Sequence, residues 1–544
     1  MIKNSRILTF LMITAMLLLF MGGEPVSANI SGAEKTREFS YTINYVKPGG
    51  NGDCLSWETA CELQTALSNI PDQVWVATGV YKPTTTGDRA VSFELESGVR
   101  IFGGFPAAGG AWETRDWQAN PTTLSGDIGI EGEAADNSYH VVTADGVNKL
   151  GILDGFTITG GNANALEDEP NSSGGGMYNL NSNPTLSNLI IIGNTAKNGA
   201  GMFNDYSNPA LTNVIITGNV LAEGGTGAGM SNINQSSPTL SDVTFLDNGN
   251  FYEGGGAMLN VGQSSPTLTN VDFIDNLGGG MINQDNSNPT LTNVIFSGNS
   301  SLIGGGMSNV QSSPTLTNVT FSGNTGSRGG GMYNNLSNPI LTNVTFLGNS
   351  VSDYPTYSII GIGGGIANYY GSSPSLTNVT FSENTASAYG GGLYNAQNCF
   401  PTLKNVTFWG NTAGSSGGGI AFIGNYPPTL TNTILWGNTP DQIYTDQVGI
   451  FGDVTYSVIQ GDGVYPGEGN INTDPLLLPL ADNGGFTQTH ALGSGSSAID
   501  AGNPENYPAT DQRGVARPQG EGCDIGAYEY EGEGYSVYLP LILK

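Results

Sequence analysis

The composition of the chain limits what it can do. The sequence has 544 residues, with 82 glycines, 11% charged residues and a formal net charge of −30 at pH 7. This acidic balance argues against nucleic acid and anionic lipid as partners, and it permits weak binding of Ca²⁺. We expect no other cofactor and no dedicated metal site, since the sequence lacks metal-ligand spacing of His, Cys and carboxylate residues.

The N-terminus has the features of a secretory signal peptide. Lys3 and Arg6 precede an apolar run over residues 7–21, and Val-Ser-Ala at 26–28 is a small-residue cleavage site. We therefore assign residues 1–28 to a signal peptide and expect a secreted protein associated with the cell surface. No later segment has the roughly 18 apolar residues of a membrane span, so we expect no integral membrane segment after signal removal.

The four cysteines are too few for a disulfide scaffold in a chain of this length. Cys54 and Cys61 are close enough in sequence to form a local bridge, which an oxidising compartment allows. Cys399 and Cys523 either pair or stay free, and the sequence does not decide between these states.

Residues 29–150 precede the repeats and are predicted to form an N-terminal cap and the first coils of the fold. Segments 74–77 and 99–102 are rich in β-branched and aromatic residues, which is typical of strands. Segment 63–67 is predicted to be one short helix.

A repeat fills residues 151–440. One copy, residues 304–324, reads GGGMSNVQSSPTLTNVTFSGN, and its proline recurs ten times, mostly at intervals of 23 to 29 residues. These prolines are Pro184, Pro209, Pro238, Pro266, Pro289, Pro314, Pro339, Pro374, Pro401 and Pro428. A fixed period in this range indicates stacked supersecondary units, each of which folds only against its neighbours.

Each copy is predicted to contain three short strands. Segment 319–321, Val-Thr-Phe, alternates apolar and polar residues, as a strand with one buried face does. Leu316 breaks this alternation, which places a bend at Asn318. The three glycines at 304–306 supply a turn before another short strand through Met307. The predicted fold class is therefore all-β, with one coil of a solenoid per copy.

Asparagine recurs in three columns. The first lies at the predicted bend: Asn188, Asn213, Asn270, Asn293, Asn318, Asn343, Asn378, Asn405 and Asn432. The second follows Gly-Gly-Gly-Met: Asn179, Asn204, Asn232, Asn260, Asn283, Asn309, Asn334, Asn368 and Asn395. The third closes each copy: Asn194, Asn219, Asn248, Asn276, Asn299, Asn324, Asn349, Asn384, Asn411 and Asn438. Stacked amides can hydrogen-bond along a ladder, so all three columns are predicted to be structural and to point inward. An inward Asn318 would make the Asn-Val-Thr sequence there a false glycosylation signal.

The N-terminal region resembles the amino-terminal part of pectin-lyase-like right-handed parallel β-helices. The resemblance rests on segments 45–46, 63–67, 74–83 and 103–105. It implies a right-handed parallel β-helix whose short helix caps the first coil and covers its exposed strand edge.

The repeats resemble those of polymorphic outer-membrane proteins. The paired motifs of those proteins are Gly-Gly-Ala-Ile and Phe-x-x-Asn. The corresponding segments here are Gly-Gly-Gly-Met at 329–332 and Phe-Ser-Gly-Asn at 321–324. A leucine-rich repeat has a similar period and spacing. However, Gly, Ser, Asn and Pro fill the part of each copy that would form its convex side, and these are poor helix formers. The β-helix is therefore the favoured fold.

Residues 441–530 are predicted to form a separate C-terminal module. Segment 474–530 resembles the module called choice-of-anchor Q, which lies near the carboxy terminus of exported bacterial β-helix proteins. The resemblance implies a domain that finishes and caps the last coil. Asp511, Gln512, Arg513 and His490 are expected to form a buried polar network within it. The apolar tail, 531–544, is either a surface-sorting signal or a packed final strand.

Two functions fit these features. The favoured one is adhesion or structural display, with polysaccharide or the surface of a host or neighbouring cell as partner. The alternative is a polysaccharide lyase or glycoside hydrolase, activities that several pectin-lyase-like β-helices have. A lyase needs a base near carboxylates and a hydrolase needs two spaced carboxylates, so the catalytic candidates are Asp272, Asp275 and Arg328.

Binding residues are predicted in the loops whose length varies. The gap between the closing asparagine and the next glycine run ranges from one residue, Leu277, to thirteen, 350–362. Insertions in repeat proteins map to loops on one face, which is often the binding face. The candidate binding residues are Phe251, Tyr252, Glu253, Asp353, Tyr354, Tyr357 and Tyr389.

Overall fold

The structure is a computed structural model that describes residues 41–165, 170–250, 255–396, 398–424, 427–447 and 452–532, with only the backbone of Tyr357. The predicted signal peptide, 1–28, and residues 533–544 of the predicted tail lie outside the described residues.

The described chain winds through about 15 turns of a right-handed parallel β-helix. Equivalent residues of successive copies pair in parallel register, so that Leu316 lies beside Leu291 of the coil before and Leu341 of the coil after. This confirms the predicted fold class. The described residues include one α-helix, Leu63–Ser68, and three short 3₁₀ turns, Trp112–Thr114, Ala134–Asp136 and Pro355–Tyr357. This near absence of helix from the described coils rules out the leucine-rich repeat.

Two large sheets run the length of the solenoid. The long sheet has 20 strands: Ile43–Val46, Gln73–Ala77, Gly79–Tyr81, Arg100–Phe105, Thr122–Ser125, Ile152–Asp154, Thr157–Thr159, Thr185–Ile192, Ala210–Thr217, Thr239–Leu246, Thr267–Ile274, Thr290–Ser297, Thr315–Ser322, Ile340–Leu347, Ser375–Ser382, Thr402–Trp409, Thr429–Thr431, Ile434–Trp436, Asp453–Thr455 and Val458–Ile459. The methionine sheet has 13 strands: Phe93–Leu95, Val142–Asp145, Met177–Leu180, Met202–Asp205, Met230–Ile233, Met258–Asn260, Met281–Gln284, Met307–Val310, Met332–Asn335, Ile366–Tyr369, Leu393–Asn395, Ile420–Phe422 and Ile443–Thr445.

Two short sheets lie at the corner where copies differ in length. One contains Asn162–Ala163, Thr195–Asn198 and Val220–Thr226. The other contains Thr325–Gly326, Ser350–Val351, Thr385–Ala386 and Thr412–Ala413.

The core consists of columns of identical side chains. Leu316, Val319, Phe321 and Met307 are fully buried, and each stacks on its counterpart in the next coil. Seven phenylalanine rings stack almost parallel with centroids 4.5 to 4.8 Å apart: Phe245, Phe273, Phe296, Phe321, Phe346, Phe381 and Phe408. Burying each such side chain contributes about 1.5–3 kcal/mol, and most of its contacts lie in neighbouring coils.

The glycine run is required by the close approach of successive coils. Gly304 has a φ of +68°, in the left-handed region that glycine adopts without strain. A Cβ on Gly306 would lie 2.6 Å from the carbonyl oxygen of Gly331 and 2.7 Å from the ring of Phe321. A side chain there would therefore push adjacent coils apart.

Two of the asparagine columns form buried ladders. In the inner ladder, which follows the methionine, Asn309 Nδ2 donates to Asn334 Oδ1 over 2.9 Å. In the closing ladder, Asn324 Nδ2 donates to Asn349 Oδ1 and to the carbonyl oxygen of Phe296, each over 2.9 Å. These asparagines are fully buried, and the bonds replace the water that their amides lose.

The column at the bend was predicted to point inward, and this prediction is wrong. Asn318 has a φ of +56°, and its half-exposed side chain lies on the outer surface of the long sheet. One left-handed residue shifts the strand alternation by one, so Leu316 and Val319 both face inward and the intervening amide turns outward. Asn318 Nδ2 donates to Asn293 Oδ1 over 3.1 Å, so this column forms a third ladder, the bend ladder. Because the Asn318 side chain is accessible, the argument from burial against glycosylation at Asn-Val-Thr no longer applies.

The first coil is covered by the short helix. Leu63, Ala66 and Leu67 are buried where the helix packs on strands Ile43–Val46, Gln73–Ala77 and Phe93–Leu95. A disulfide joins Cys54 and Cys61 nearby, whereas Cys399 and Cys523 are buried and form no disulfide within the described residues.

Residues 474–530, here called the C-terminal segment, were expected to finish and cap the last coil, but they lie against the side of the stack. They lie along the outer face of the long sheet over its last five coils, from strand Ile340–Leu347 onward. Outward side chains that are half-exposed upstream, such as Thr320, are buried there at Thr345, Thr380 and Thr407. A separate apolar cluster forms beneath the segment: Ile434, Val458, Leu492, Ala498 and Ile525.

Polar contacts fix the register of the C-terminal segment. Gln512 Nε2 donates to Thr345 Oγ1, and Thr380 Oγ1 donates to Gln512 Oε1, each over 2.7 Å. His490 Nε2 lies 3.1 Å from Ser382 Oγ. Of the four polar residues expected to form a buried network, Gln512 and His490 therefore contact the side of the stack. Asp511 and Arg513 bond to one another within the segment.

Candidate functional site

The methionine sheet presents one outward position whose residue type varies. In Met307-Ser308-Asn309, the first and third side chains point into the core and Ser308 points outward. The residues at this position are Tyr178, Phe203, Ser231, Leu259, Ile282, Ser308, Tyr333, Ala367, Tyr394 and Ala421. Because the parallel register aligns them, a small residue between two large ones produces a depression in this face.

The first depression, the tyrosine groove, has a volume of about 260 Å³. Ser308 forms its floor between Ile282 and Tyr333, its in-register neighbours. The corner loop 301–303 forms the opposite wall. The remaining lining residues are Gln284, Val310 and Asn335. The groove therefore combines an apolar lining with two side-chain amides and an aromatic ring, a composition typical of ligand sites.

The second depression, the upstream groove, repeats this construction with a volume of about 340 Å³. Ser231 lies between Phe203 and Leu259 in register. Its buried Oγ has no hydrogen-bond partner within the described part of the chain. Asn198 and Thr226, from the short sheet at the corner, line the other side.

A tyrosine cluster borders the tyrosine groove downstream. The ring centroid of Tyr369 lies 5.5 Å from that of Tyr333, 5.8 Å from that of Tyr394 and 5.9 Å from that of Tyr370. Tyr370 is 65% exposed. The guanidinium carbon of Arg328 lies 5.3 Å from the Tyr369 centroid. Burial raises the pKa of Tyr333, Tyr369 and Tyr394, and the charge of Arg328 acts in the opposite direction. The hydroxyl groups therefore stay protonated at neutral pH.

The three catalytic candidates are not brought together. Arg328 bridges Ile303 and Ile362 beside the methionine sheet. Asp272 lies in the outer face of the long sheet, and Asp275 follows that strand, exposed, with a φ of +53°. Alternation would place residues three apart on opposite faces, but the left-handed Asp275 turns outward as well. The pair therefore shares the face that does not carry the grooves.

The loop candidates have different surroundings. Phe251, Tyr252 and Glu253 lie outside the described residues, as does the side chain of Tyr357. Asp353 Oδ1 accepts hydrogen bonds from Ser387 Oγ over 2.6 Å and from the Gly361 amide over 2.9 Å. These bonds lower the pKa of Asp353 and tie the base of the loop.

The two remaining tyrosines of the loop set also differ from one another. Tyr354 is 42% exposed. Tyr389 is half-buried and stacks on Tyr444 with centroids 5.8 Å apart. Tyr354 is therefore the more accessible of the two.

The sequence-based search missed the groove residues. It interpreted the Met-x-Asn strand as structural and looked for ligands in the corner loops. A usable signal was present, because the middle residue of this strand changes between copies while its two neighbours recur.

Two kinds of feature are missing from the described residues. No three His, Cys, Asp or Glu side chains among them are arranged to hold a metal ion. None of the helices in the described ranges has the length and apolar character needed to cross a membrane.

Comparisons with known proteins agree with the fold. The family model described as "Right handed beta helix region" matches residues 255–435. The crystal structure of pectate lyase Pel9A is similar at 13% sequence identity, with a TM-score of 0.37, over 90% of this chain and 96% of that chain. No curated protein sequence matches the chain. The strand pairing itself makes the described chain a right-handed parallel β-helix, which carries the tyrosine groove and the upstream groove on its methionine sheet.

Proposed function

We propose that this is an exported, cell-surface or secreted protein that binds polysaccharide through the outer face of its methionine sheet, in adhesion or structural display. The observation that carries the proposal is the repeated groove. Ser231 and Ser308 lie three coils apart on one face, roughly 14 Å at ~4.8 Å per coil. A linear polymer lying along the solenoid can contact both grooves, whereas a single sugar can occupy only one.

The chemistry of the grooves supports a sugar ligand. Tyr333 lines the groove but is only 5% exposed, and the half-exposed ring of Tyr369 beside it offers a flat apolar surface to the C–H face of a sugar ring. Side-chain amides such as Gln284 and Asn335 can donate to and accept from hydroxyl groups. The proposed export rests on the signal-like residues 1–28.

Filling the tyrosine groove tests the proposal. Ser308→Leu should lower affinity for a bound polysaccharide by about tenfold or more, because the leucine occupies the space of the ligand. Thr317→Leu is the matched control, since Thr317 lies in the same coil but on the outer face of the long sheet. Affinity electrophoresis against a polysaccharide panel measures both variants. Equal binding by wild type and Ser308→Leu would show that the groove is not the site.

Incubating the wild-type protein with the same polysaccharide panel tests the alternative of a polysaccharide lyase or hydrolase. New reducing ends or unsaturated products would establish an enzyme. The three catalytic candidates do not support that alternative, because Arg328 lies beside the methionine sheet whereas Asp272 lies in the long sheet and Asp275 follows its strand.

A further inference from the structure

The side chain of Arg328 lacks a counter-charge. No carboxylate of the described residues lies within ion-pair distance of it, although the chain carries 46 acidic and 16 basic residues. Its Nε is buried and has no hydrogen-bond partner in the described ranges. An unsatisfied buried donor is rare in native proteins, and on a charged group it is more costly.

The position of Arg328 relates it to the tyrosine groove. Its backbone pairs with Ile303, which lines the groove, and its charge acts on Tyr333, which forms one wall. The guanidinium packs near the face of Tyr369, an arrangement that holds the planar group in place. The residue is half-exposed while its Nε is buried, so the accessible surface lies on other atoms of the residue.

We propose that Arg328, with Tyr333 and Tyr369, forms an anion subsite that selects acidic polysaccharides, whose carboxylate or sulfate groups pair with the guanidinium. This inference rests on the proposed function and adds the class of glycan. A guanidinium is planar and offers paired donors that match carboxylate and sulfate oxygens. The tyrosine rings receive the apolar face of the sugar that carries the anion. The role is one of binding and specificity, and no bond is made or broken.

The experiment compares four proteins with three probes. The proteins are the wild type, Arg328→Gln, Arg328→Lys and the control Lys404→Gln, which removes one positive charge from the long sheet. Polygalacturonate supplies carboxylates, dextran sulfate supplies sulfate esters, and dextran is uncharged. Affinity electrophoresis is carried out at low salt and at about 0.15 M salt, where exposed charges are screened beyond about 8 Å.

The wild type should bind at least one acidic probe more tightly than dextran. Arg328→Gln should lose about tenfold in affinity for that probe and nothing for dextran, as expected for a lost charge-assisted hydrogen bond. Arg328→Lys should recover part of the affinity, because it restores the charge without the planar fork. Lys404→Gln should match the wild type. The better acidic probe identifies the anion.

Four outcomes would overturn the inference. Acidic probes bound no better than dextran, with Arg328→Gln unaffected, remove the anion subsite and leave polysaccharide binding intact. Equal loss for all three probes makes Arg328 a structural residue. No binding to any probe or to the wider neutral panel removes the proposed function as well. If Arg328→Gln fails to fold, unchanged acidic affinity in Arg328→Lys overturns the role of the guanidinium fork.

Discussion

The repeat stack and the C-terminal segment are stabilised in different ways. In the stack, the partner of a residue is the same residue one coil away, as in the closing ladder at Asn324 and Asn349. In the C-terminal segment, polar groups pair with unlike residues, in contacts that do not repeat from coil to coil. Arg517 Nη1 donates to Glu529 Oε2 over 2.5 Å, in a pair that is fully buried. Stability in the stack is therefore spread over many equal contacts, whereas docking of the segment depends on a few.

The largest expected effect comes from breaking the closing ladder. Asn324→Ala removes the acceptor of the Asn299 backbone N–H and the side-chain donor to the Phe296 carbonyl. It also removes one of the two hydrogen bonds made by Asn299 Nδ2 and one of the two accepted by Asn349 Oδ1. Two groups left unsatisfied cost about 1–3 kcal/mol each, and the two lost side-chain bonds add about 1 kcal/mol, so the free energy of unfolding should fall by about 3–6 kcal/mol. Denaturant unfolding measures this loss. A loss below about 1 kcal/mol would mean that relaxation or water repairs the ladder.

Removing one partner of the buried ion pair should release the C-terminal segment locally. Arg517→Ala leaves Glu529 buried and unpaired, which costs about 3–5 kcal/mol. Hydrogen exchange should accelerate in residues 474–530 and stay unchanged in the upstream strand Thr267–Ile274. Equal acceleration in both regions would show that the segment and the stack unfold as one unit.

The bend ladder should be worth less than the closing ladder. Asn318→Ala loses two half-exposed amide bonds, one to Asn293 and one from Asn343, and it places alanine at a φ of +56°, which costs about 1–2 kcal/mol. Asn318→Gly loses the same two bonds but tolerates the left-handed conformation, so it should be less destabilised than the alanine variant. Thermal unfolding of the two variants separates the contribution of the ladder hydrogen bonds to stability from the cost of the left-handed backbone conformation. Equal stability of the two variants would contradict the backbone contribution.

The smallest effect should be a pH dependence confined to the C-terminal segment. Burial raises the pKa of Asp524 to about 7, against the opposing hydrogen bonds from the backbone of Tyr530 and Asp500. The folded state therefore binds this proton more tightly than the unfolded state. The resulting stabilisation is full below the unfolded pKa of 3.8 and is lost as the pH rises through about 7.

The Asp524 prediction is measured between pH 6.5 and 8. Burial lowers the pKa of His490, so this histidine stays neutral in the folded state over that range. Exchange protection of residues 474–530 should decrease as the pH rises, after correction for intrinsic exchange rates. Asp524→Asn should flatten the dependence. An unchanged slope in that variant would assign the titration to another group.

The stack of coils could be predicted from the sequence because the residues that shape one coil recur in every copy of the repeat. The glycine run, the Leu-x-x-Val-x-Phe spacing and the asparagine columns each occur often enough to define a coil. The orientation of Asn318 was missed because one left-handed residue reverses the inside–outside alternation without changing the residue pattern. The place of the C-terminal segment was missed because Gln512 and Thr345 are 167 residues apart, with no periodic signal between them. The grooves depend on side-chain size in neighbouring coils, which becomes visible only once the register is known.

The inner ladder has a direction, since every Nδ2 from Asn179 onward donates to the next coil. Its two ends are the buried atoms Asn179 Oδ1 and Asn395 Nδ2, which have no partners in the described part of the chain. A ladder of any length has just these two ends, so their cost is fixed while every additional copy contributes one more bond. Duplication of a whole copy in the middle of the gene would therefore insert a compatible rung without new terminal penalties. The chain can thus gain or lose whole coils by duplication or deletion of a copy, and the longer form still has only two unpaired ladder atoms.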